Sequence, residues 1–238
     1  FDNGASYMGR AEKDDVLRLT LAVGAKLKEA GYHVYYTRTT DIYNSPTEKA
    51  ALANLSGGKY FISFHRNSGM EDNLYNGVQT LVYQHDPTVD TLAENINRHL
   101  EQVGFKNLGV EEVPGLIVLR KTEMPAVLVE TGFLNSDIDN QLFDEKFDAI
   151  VDAIVAGIEE SIPLSAQEIP EQYYVQTGLF KYDVNAAYQL ERLQILGFDH
   201  YEEPYYGVWI GKPKNLDEAV LLQDELRQKG YSTLIVSM

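Results

Sequence analysis

Three side chains, widely separated in a chain of 238 residues, have the chemistry of a hydrolytic site. Glu12 opens an amphipathic stretch, His65 closes one apolar run and Glu130 closes another. An imidazole and a carboxylate with an open position beside them suit zinc, and a further carboxylate near such a metal suits a general base acting on water. Each residue also has a plain structural reading. Glu12 at a helix N-terminus complements the macrodipole, His65 after a strand fits a half-buried, hydrogen-bonded imidazole, and Glu130 fits a cap for the next helix or the partner of an Arg. Spacing alone leaves both readings open. The sharpest of the three signals is Pro125–Asn135. Ala126 to Val129 reads as a strand buried on both faces. A carboxylate at its carboxyl end, against Thr131 and Gly132, stands where open α/β sheets place their ligands. A charge there is costly unless it is paired or faces a cation. The other histidines, His33, His85, His99 and His200, read as surface or packing residues.

The elements that must position these groups follow from periodicity. Apolar residues at Val16, Leu19, Val23, Leu27 and Ala30 have helical spacing, with Gly31 as the stop. Tyr32 to Thr37 reads as a strand. Pro46 suits the first turn of a short helix ending near Leu55, before Gly57-Gly58. Tyr60 to Phe64 reads as a buried strand ending at His65, and Arg66 to Asn76 as a polar loop. Val78 to Tyr83 is another strand, Thr88 to Val103 a helix with Leu92, Ile96 and Leu100 on one side, Leu116 to Leu119 a strand, and Phe147 to Ile158 a final helix. This alternation predicts an α/β fold: a twisted, mostly parallel sheet flanked by helices.

Residues 163–172, framed by Pro163 and Pro170 and free of Gly, read as a semi-extended linker between a domain at 1–162 and another at 173–238. The second contains a repeat. Val175-Gln-Thr-Gly178 matches Val208-Trp-Ile-Gly211, Ala186 matches Ala219, Leu193 matches Leu226, and Gly197-Phe198 matches Gly230-Tyr231, each pair 33 residues apart. Each copy reads strand, helix, strand, so the pair predicts a small α+β domain of βαββαβ order. Two copies that each begin with a strand do not make a helical solenoid.

Composition narrows the function classes. A formal charge of -16 disfavours nucleic acid as a partner, and also attraction to anionic membranes. No apolar run approaches a membrane span, so no membrane insertion is expected. Without Cys, disulfides and thiolate chemistry are excluded. The N-terminus at Phe1 is not an initiator Met, so export signals are not readable from it.

Local sequences add a resemblance. Asp2-Asn-Gly-Ala5, Glu12-Lys-Asp14, Ala30-Gly31-Tyr32, Thr37-Arg38, Ala53-Asn54 and Phe61-Ile-Ser-Phe-His65 are similar to segments of the zinc-dependent N-acetylmuramoyl-L-alanine amidases of the amidase_3 type. So are Leu108-Gly-Val110, Val118-Leu-Arg120 and Pro125-Ala-Val-Leu-Val-Glu-Thr-Gly-Phe133, all in the family's order. The resemblance implies one Zn2+ held by Glu12 and His65, with Glu130 as the catalytic carboxylate. The family's first zinc His, and the strand carrying it, would precede Phe1. Asn67, which fits the family, and Arg120 are implied substrate contacts; Arg66 departs from the family's pattern and reads equally as a cation near the metal that holds a substrate carboxylate or as a surface residue. Tyr174–Phe180 and Gly207–Gly211 resemble a SPOR domain, a peptidoglycan-binding module, with departures at Leu179 and Lys212-Pro213. On its sheet Tyr174, Gln176 and Trp209, with Tyr206, are implied wall contacts; the alternative is that the aromatics pack under the helices.

The function implied is a peptidoglycan hydrolase, cleaving the amide between N-acetylmuramic acid and L-alanine at the bacterial cell wall. A secreted autolysin and a phage lysin released from the host cytoplasm both fit. The alternatives are a zinc peptidase acting within the stem peptide and a non-catalytic wall-binding protein.

Overall fold

The computed structural model describes residues 4–164, 173–179, 183–198, 200–203, 207–211, 213 and 216–237. The chain divides into two compact units with the main boundary at Ala166–Gln167. The first opens with a small hairpin, β1 (Ser6–Tyr7) and β2 (Arg10–Ala11), that runs straight into α1 (Glu12–Glu29). Acidic Glu12, Asp14 and Asp15 in the first turn and Lys26 and Lys28 in the last complement the helix dipole. The helix stops at Gly31, which takes a left-handed φ of 99°. Next come α2 (Pro46–Leu55), β3 (Phe61–Asn67), β4 (Val78–Val82) and α3 (Pro87–Val103). The Asp86 side chain caps α3 by accepting from the Thr88 and Val89 N–H groups, and Pro87 sits at its start. The unit is completed by β5 (Asn107–Glu112), α4 (Ile117–Lys121), β6 (Ala126–Phe133), α5 (Asp137–Glu145) and α6 (Phe147–Ser161).

The sheet order is β3-β6-β4-β5, with β3–β6 and β4–β5 parallel and β4–β6 antiparallel. One face carries Phe64, Val78, Val82, Val127 and Val129 into the main core. There Leu19 and Val23 of α1, Leu92 and Ile96 of α3, and Ile150 and Ile154 of α6 cover it completely. The opposite face is covered only in part. Val118 and Leu119 of α4 pack on Ala126 and Leu128 of β6, with Phe61 and Leu81 beside them. The remainder of that face, toward the carboxyl ends of β3 and β6, is left for polar side chains. Asn54 of α2 holds the corner after α4, donating to Lys121 O at 2.9 Å and accepting the Glu123 N–H at 2.9 Å.

Several expectations are corrected. Residues 32–37 form no strand; β-branched and aromatic residues give propensity, but a strand also needs a neighbouring ladder, and no described strand pairs with them. Residues 117–121 are helical rather than part of a strand at 116–119, because four consecutive apolar residues do not distinguish the two. β5 was not expected, since it is an edge strand interrupted by Gly109 and ending in the exposed Glu111 and Glu112. Neither β3 nor β6 ends where predicted. β3 continues through Arg66 to Asn67 and β6 through Glu130 to Phe133, because the chain passes through a bulge instead of a turn. His65 pairs with Glu130 and Asn67 with Phe133, so two steps on β3 face three on β6. Gly132 absorbs the extra residue at φ 79°, a conformation that side chains disfavour.

The second unit comprises β7 (Tyr173–Leu179), α7 (Asp183–Ile195), β8 (His200–Glu203), β9 (Gly207–Ile210), α8 (Leu216–Gln228) and β10 (Leu234–Ser237). Its antiparallel sheet has the order β10-β7-β9-β8. The repeat is visible in three dimensions. Ala186 and Ala219, and Leu193 and Leu226, are all buried in one core with Val175, Val208 and Ile210. Gly197 and Gly230 both follow a helix at positive φ, and the next residue in each copy, Phe198 or Tyr231, donates its N–H back to Leu193 or Leu226 at 3.1 Å. No helix among the described residues is long and apolar enough to cross a membrane.

Candidate functional site

Register decides which residues meet. His65 on β3 and Gln79 on β4 are both paired with Glu130 on β6, so the three side chains leave the sheet on the same, partly covered face. Glu12 reaches this point from the start of α1. Its Oε1 lies 2.7 Å from His65 Nδ1. The first turn of α1 is fastened at the same place. Ala11, the residue before the helix, supplies no side-chain cap; instead the Glu12 N–H donates to Ala5 O at 3.0 Å while Glu12 Oε2 accepts the Ala5 N–H at 2.8 Å. Gly4 is the residue that permits this closeness, because a Cβ there would stand 2.2 Å from Glu12 Oε2. The Arg66 N–H also donates to Glu12 Oε1, at 3.3 Å.

These surroundings drive the two carboxylates apart. Burial alone would raise Glu12, but the hydrogen bond and charge of His65 and the N–H groups of Ala5 and Arg66 outweigh it and hold the carboxyl below its usual range. Burial pushes Glu130 up to about 7; the nearby Glu12 carboxylate adds to the rise, and His65 and Arg66 oppose it. Glu130 Oε2 is enclosed and has no hydrogen-bond partner among the described residues. One carboxylate is thus held ionised against an imidazole, and the other is poised near neutrality with an uncommitted oxygen. That division suits one for holding a cation and the other for moving a proton.

Glu12 and His65 fit zinc in the kind of donor they offer, an imidazole nitrogen and a carboxylate oxygen converging on one point. The orphaned oxygen of Glu130 on the same face is consistent with a charged neighbour there. Among the described residues no third His, Cys, Asp or Glu joins the pair to complete a ligand set.

The remaining expected contacts divide. Asn67 stays near the site at the end of β3, with its Oδ1 taken by the Ser68 N–H at 2.8 Å. Arg120 is exposed on α4, the helix that covers part of the same sheet face. Arg66 is not a substrate contact and not a surface residue. It is 2% exposed, and its guanidinium points away from His65 into a buried cluster, as alternation along a strand requires. In the second unit Gln176 is also buried, its Nε2 donating to Gly178 O at 3.2 Å, so it is not presented to a wall polymer as expected. Tyr174 is half-buried. Tyr206 and the Trp209 side chain lie outside the described residues, as does the linker from residue 165 onward. His85 and His99 pair with Asp90 and Glu160, away from the site.

Gln79 and Asp139 were not anticipated. Gln79 donates to Glu111 Oε2 at 2.7 Å and forms the wall beside Glu130. The signal was available in β4, where Val78, Thr80 and Val82 are buried and leave Gln79 to face outward. Asp139 pins the bulge beyond Glu130, its Oδ2 accepting from the Phe133 N–H at 2.7 Å and the Gly77 N–H at 2.8 Å.

Residues 1–160 match the family model Amidase_3, described as N-acetylmuramoyl-L-alanine amidase. The chain is 31% identical over 209 residues to the N-acetylmuramoyl-L-alanine amidase CwlM of Bacillus licheniformis, covering 83% of this chain and 78% of that protein. A sporulation-specific N-acetylmuramoyl-L-alanine amidase of Bacillus subtilis is 30% identical over 208 residues, with the same two coverages of 83% and 78%. Among solved structures, the N-acetylmuramoyl-L-alanine amidase AmiC2 of Nostoc punctiforme superposes with a TM-score of 0.63 at 29% identity, covering 68% of this chain and 91% of that one.

Proposed function

The chain belongs to the Amidase_3 family of N-acetylmuramoyl-L-alanine amidases, and we propose that it cleaves the amide between the lactyl group of N-acetylmuramic acid and L-alanine, with Glu12 and His65 holding zinc and Glu130 as general base. The observation that supports these roles is the pairing of His65 with Glu130 across β3 and β6, with Glu12 at 2.7 Å from the imidazole and Glu130 Oε2 left without a partner. When bound, zinc polarises the scissile carbonyl and acidifies water.

The chain's own residues supply the rest. The Ala5 and Arg66 N–H groups clamp the Glu12 carboxylate in place beside His65, so that the two present their donors together. Glu130 accepts a proton from the attacking water as its carboxylate and returns it to the leaving amine of L-alanine as its acid. Burial raises this carboxyl above the usual carboxylate range, which suits a group that both takes and returns a proton. Gln79 stands beside Glu130 on the same sheet face, where a substrate amide can be held. The second unit acts as a wall-binding module of SPOR type that raises local concentration at an insoluble substrate. The site of action is the bacterial cell wall.

Glu130→Gln tests the reading. It should abolish release of stem peptides from purified peptidoglycan, followed by mass spectrometry, while zinc content and wall binding are unchanged. Retained turnover would remove Glu130 from the role of base. Products cut inside the stem peptide would identify a peptidase instead.

A further inference from the structure

The elements that carry Glu12, His65 and Glu130 all meet at one buried side chain. Arg66 follows His65 on β3, and its side chain is fully enclosed. Its Nη1 donates to Asp15 Oδ2 at 2.5 Å, one turn beyond Glu12 on α1. Its Nη2 donates to Asn140 Oδ1 of α5 at 2.7 Å and to Phe133 O, at the end of β6, at 3.4 Å. The guanidinium lies over the Phe143 ring, 4.3 Å from its centroid. Both outer partners are fixed in turn. Asp15 also accepts from Arg10 Nε at 2.7 Å, and Asn140 donates to Leu134 O at 2.7 Å. The backbone N–H of the same residue reaches Glu12 Oε1 on the other side of the sheet.

A guanidinium is suited to this position. It is planar, offers donors in a fixed fork and remains charged when buried, so its bonds transmit distance and angle between the elements they join. A charge this deeply buried is destabilising unless fully compensated, and replacing such a group by an apolar one can be neutral for stability. Core stability therefore does not by itself account for an arginine here; the geometry of three converging elements does.

We propose that Arg66 is a positioning residue of the amidase site: its fork sets α1, β3 and the β6–α5 corner against one another so that Glu12, His65 and Glu130 converge. The inference rests on the amidase reading above.

The test uses the full chain. Arg66→Met keeps the apolar stem and removes the fork. Groups that orient ligands from behind typically change metal affinity or activity by roughly 10- to 100-fold. Arg66→Met should therefore lower kcat by about that factor, leave KM within about twofold, and weaken zinc binding, read by competition with a chromophoric chelator, by a similar factor. Arg66→Lys, which keeps the charge without the fork, should remain impaired in both. Leu92→Ala, in the core under α3, serves as the control for lost stability and should change neither kcat nor zinc affinity of the folded fraction. If Arg66→Met does not fold, Asn140→Ala withdraws one bond from the same fork and should weaken zinc binding by roughly 3- to 10-fold. Zinc affinity and kcat within twofold of wild type in the variants that fold would overturn the proposal. So would full rescue by Lys, or equal losses in Leu92→Ala. A wild-type protein without turnover would count against the amidase reading instead, and the zinc measurement would still report on Arg66.

Discussion

Asp139 offers the most direct test of how the site is held. It sits in the first turn of α5, 2% exposed, and its single oxygen Oδ2 accepts both the Phe133 and the Gly77 N–H. The first bond fixes the end of the bulge that begins at Glu130, and the second fixes the approach to β4. Asp139→Ala removes the acceptor and strands two buried donors, each costing about 1–3 kcal/mol. The expected loss is therefore roughly 2–6 kcal/mol, with Tm lowered by about 4–24 °C for a chain of this size. Asp139→Asn behaves differently. Burial raises the Asp139 carboxyl, and the Phe133 and Gly77 N–H groups and Arg66 only partly oppose the rise. The ionised form is thus disfavoured in the fold relative to the unfolded chain. A carboxamide oxygen keeps both bonds without the buried charge, so Asp139→Asn should stay within about 1 kcal/mol of wild type at neutral pH. The sign with pH follows from the raised folded value. Wild-type stability contributed by this group is present below its unfolded pKa and is lost as pH rises through its folded pKa, whereas Asn is insensitive. The difference between Asn and wild type should therefore move in favour of Asn as pH rises. Thermal and urea unfolding followed by circular dichroism at several pH values measure this. Equal losses in Ala and Asn would refute the acceptor argument, as would an Ala variant as stable as wild type.

Two further outcomes follow from the same structure. Gly157 of α6 crosses α3 so closely that a Cβ would lie 2.7 Å from the Ile96 Cα, so Gly157→Ala should force the helices apart and cost roughly 1–3 kcal/mol, read by chemical denaturation; an unchanged midpoint would contradict the close crossing. Exhaustive chelation should abolish turnover on peptidoglycan and zinc should restore it, while retention on wall material by the second unit is unaffected; activity that survives chelation would argue against a metal held by Glu12 and His65.

The amino-acid sequence by itself determined most of the regular elements and the identity of the candidate chemical groups. Helical spacing from Val16 to Leu27 and from Leu92 to Leu100, the Pro46 start, and the apolar runs before His65 and Glu130 are local patterns, and local patterns are enough to mark a helix or a buried strand. The 33-residue repeat likewise predicted two strand–helix–strand units, and in the fold its matched Leu193 and Leu226 are both buried and Gly197 and Gly230 both follow a helix. Tertiary structure alone decided the pairings. That Glu130 stands beside His65 depends on the β3–β6 register, and a slip of one residue would turn one of them to the other face. That residues 32–37 form no strand depends on the lack of a described ladder partner, which propensity does not encode. Arg66 is the clearest case. Beside a histidine at the end of an apolar run, an arginine reads as the start of a loop. Only the fold brings Asp15, Asn140 and Phe143 around it from helices 51 to 77 positions away in the chain, and only that enclosure makes burial of its charge tolerable.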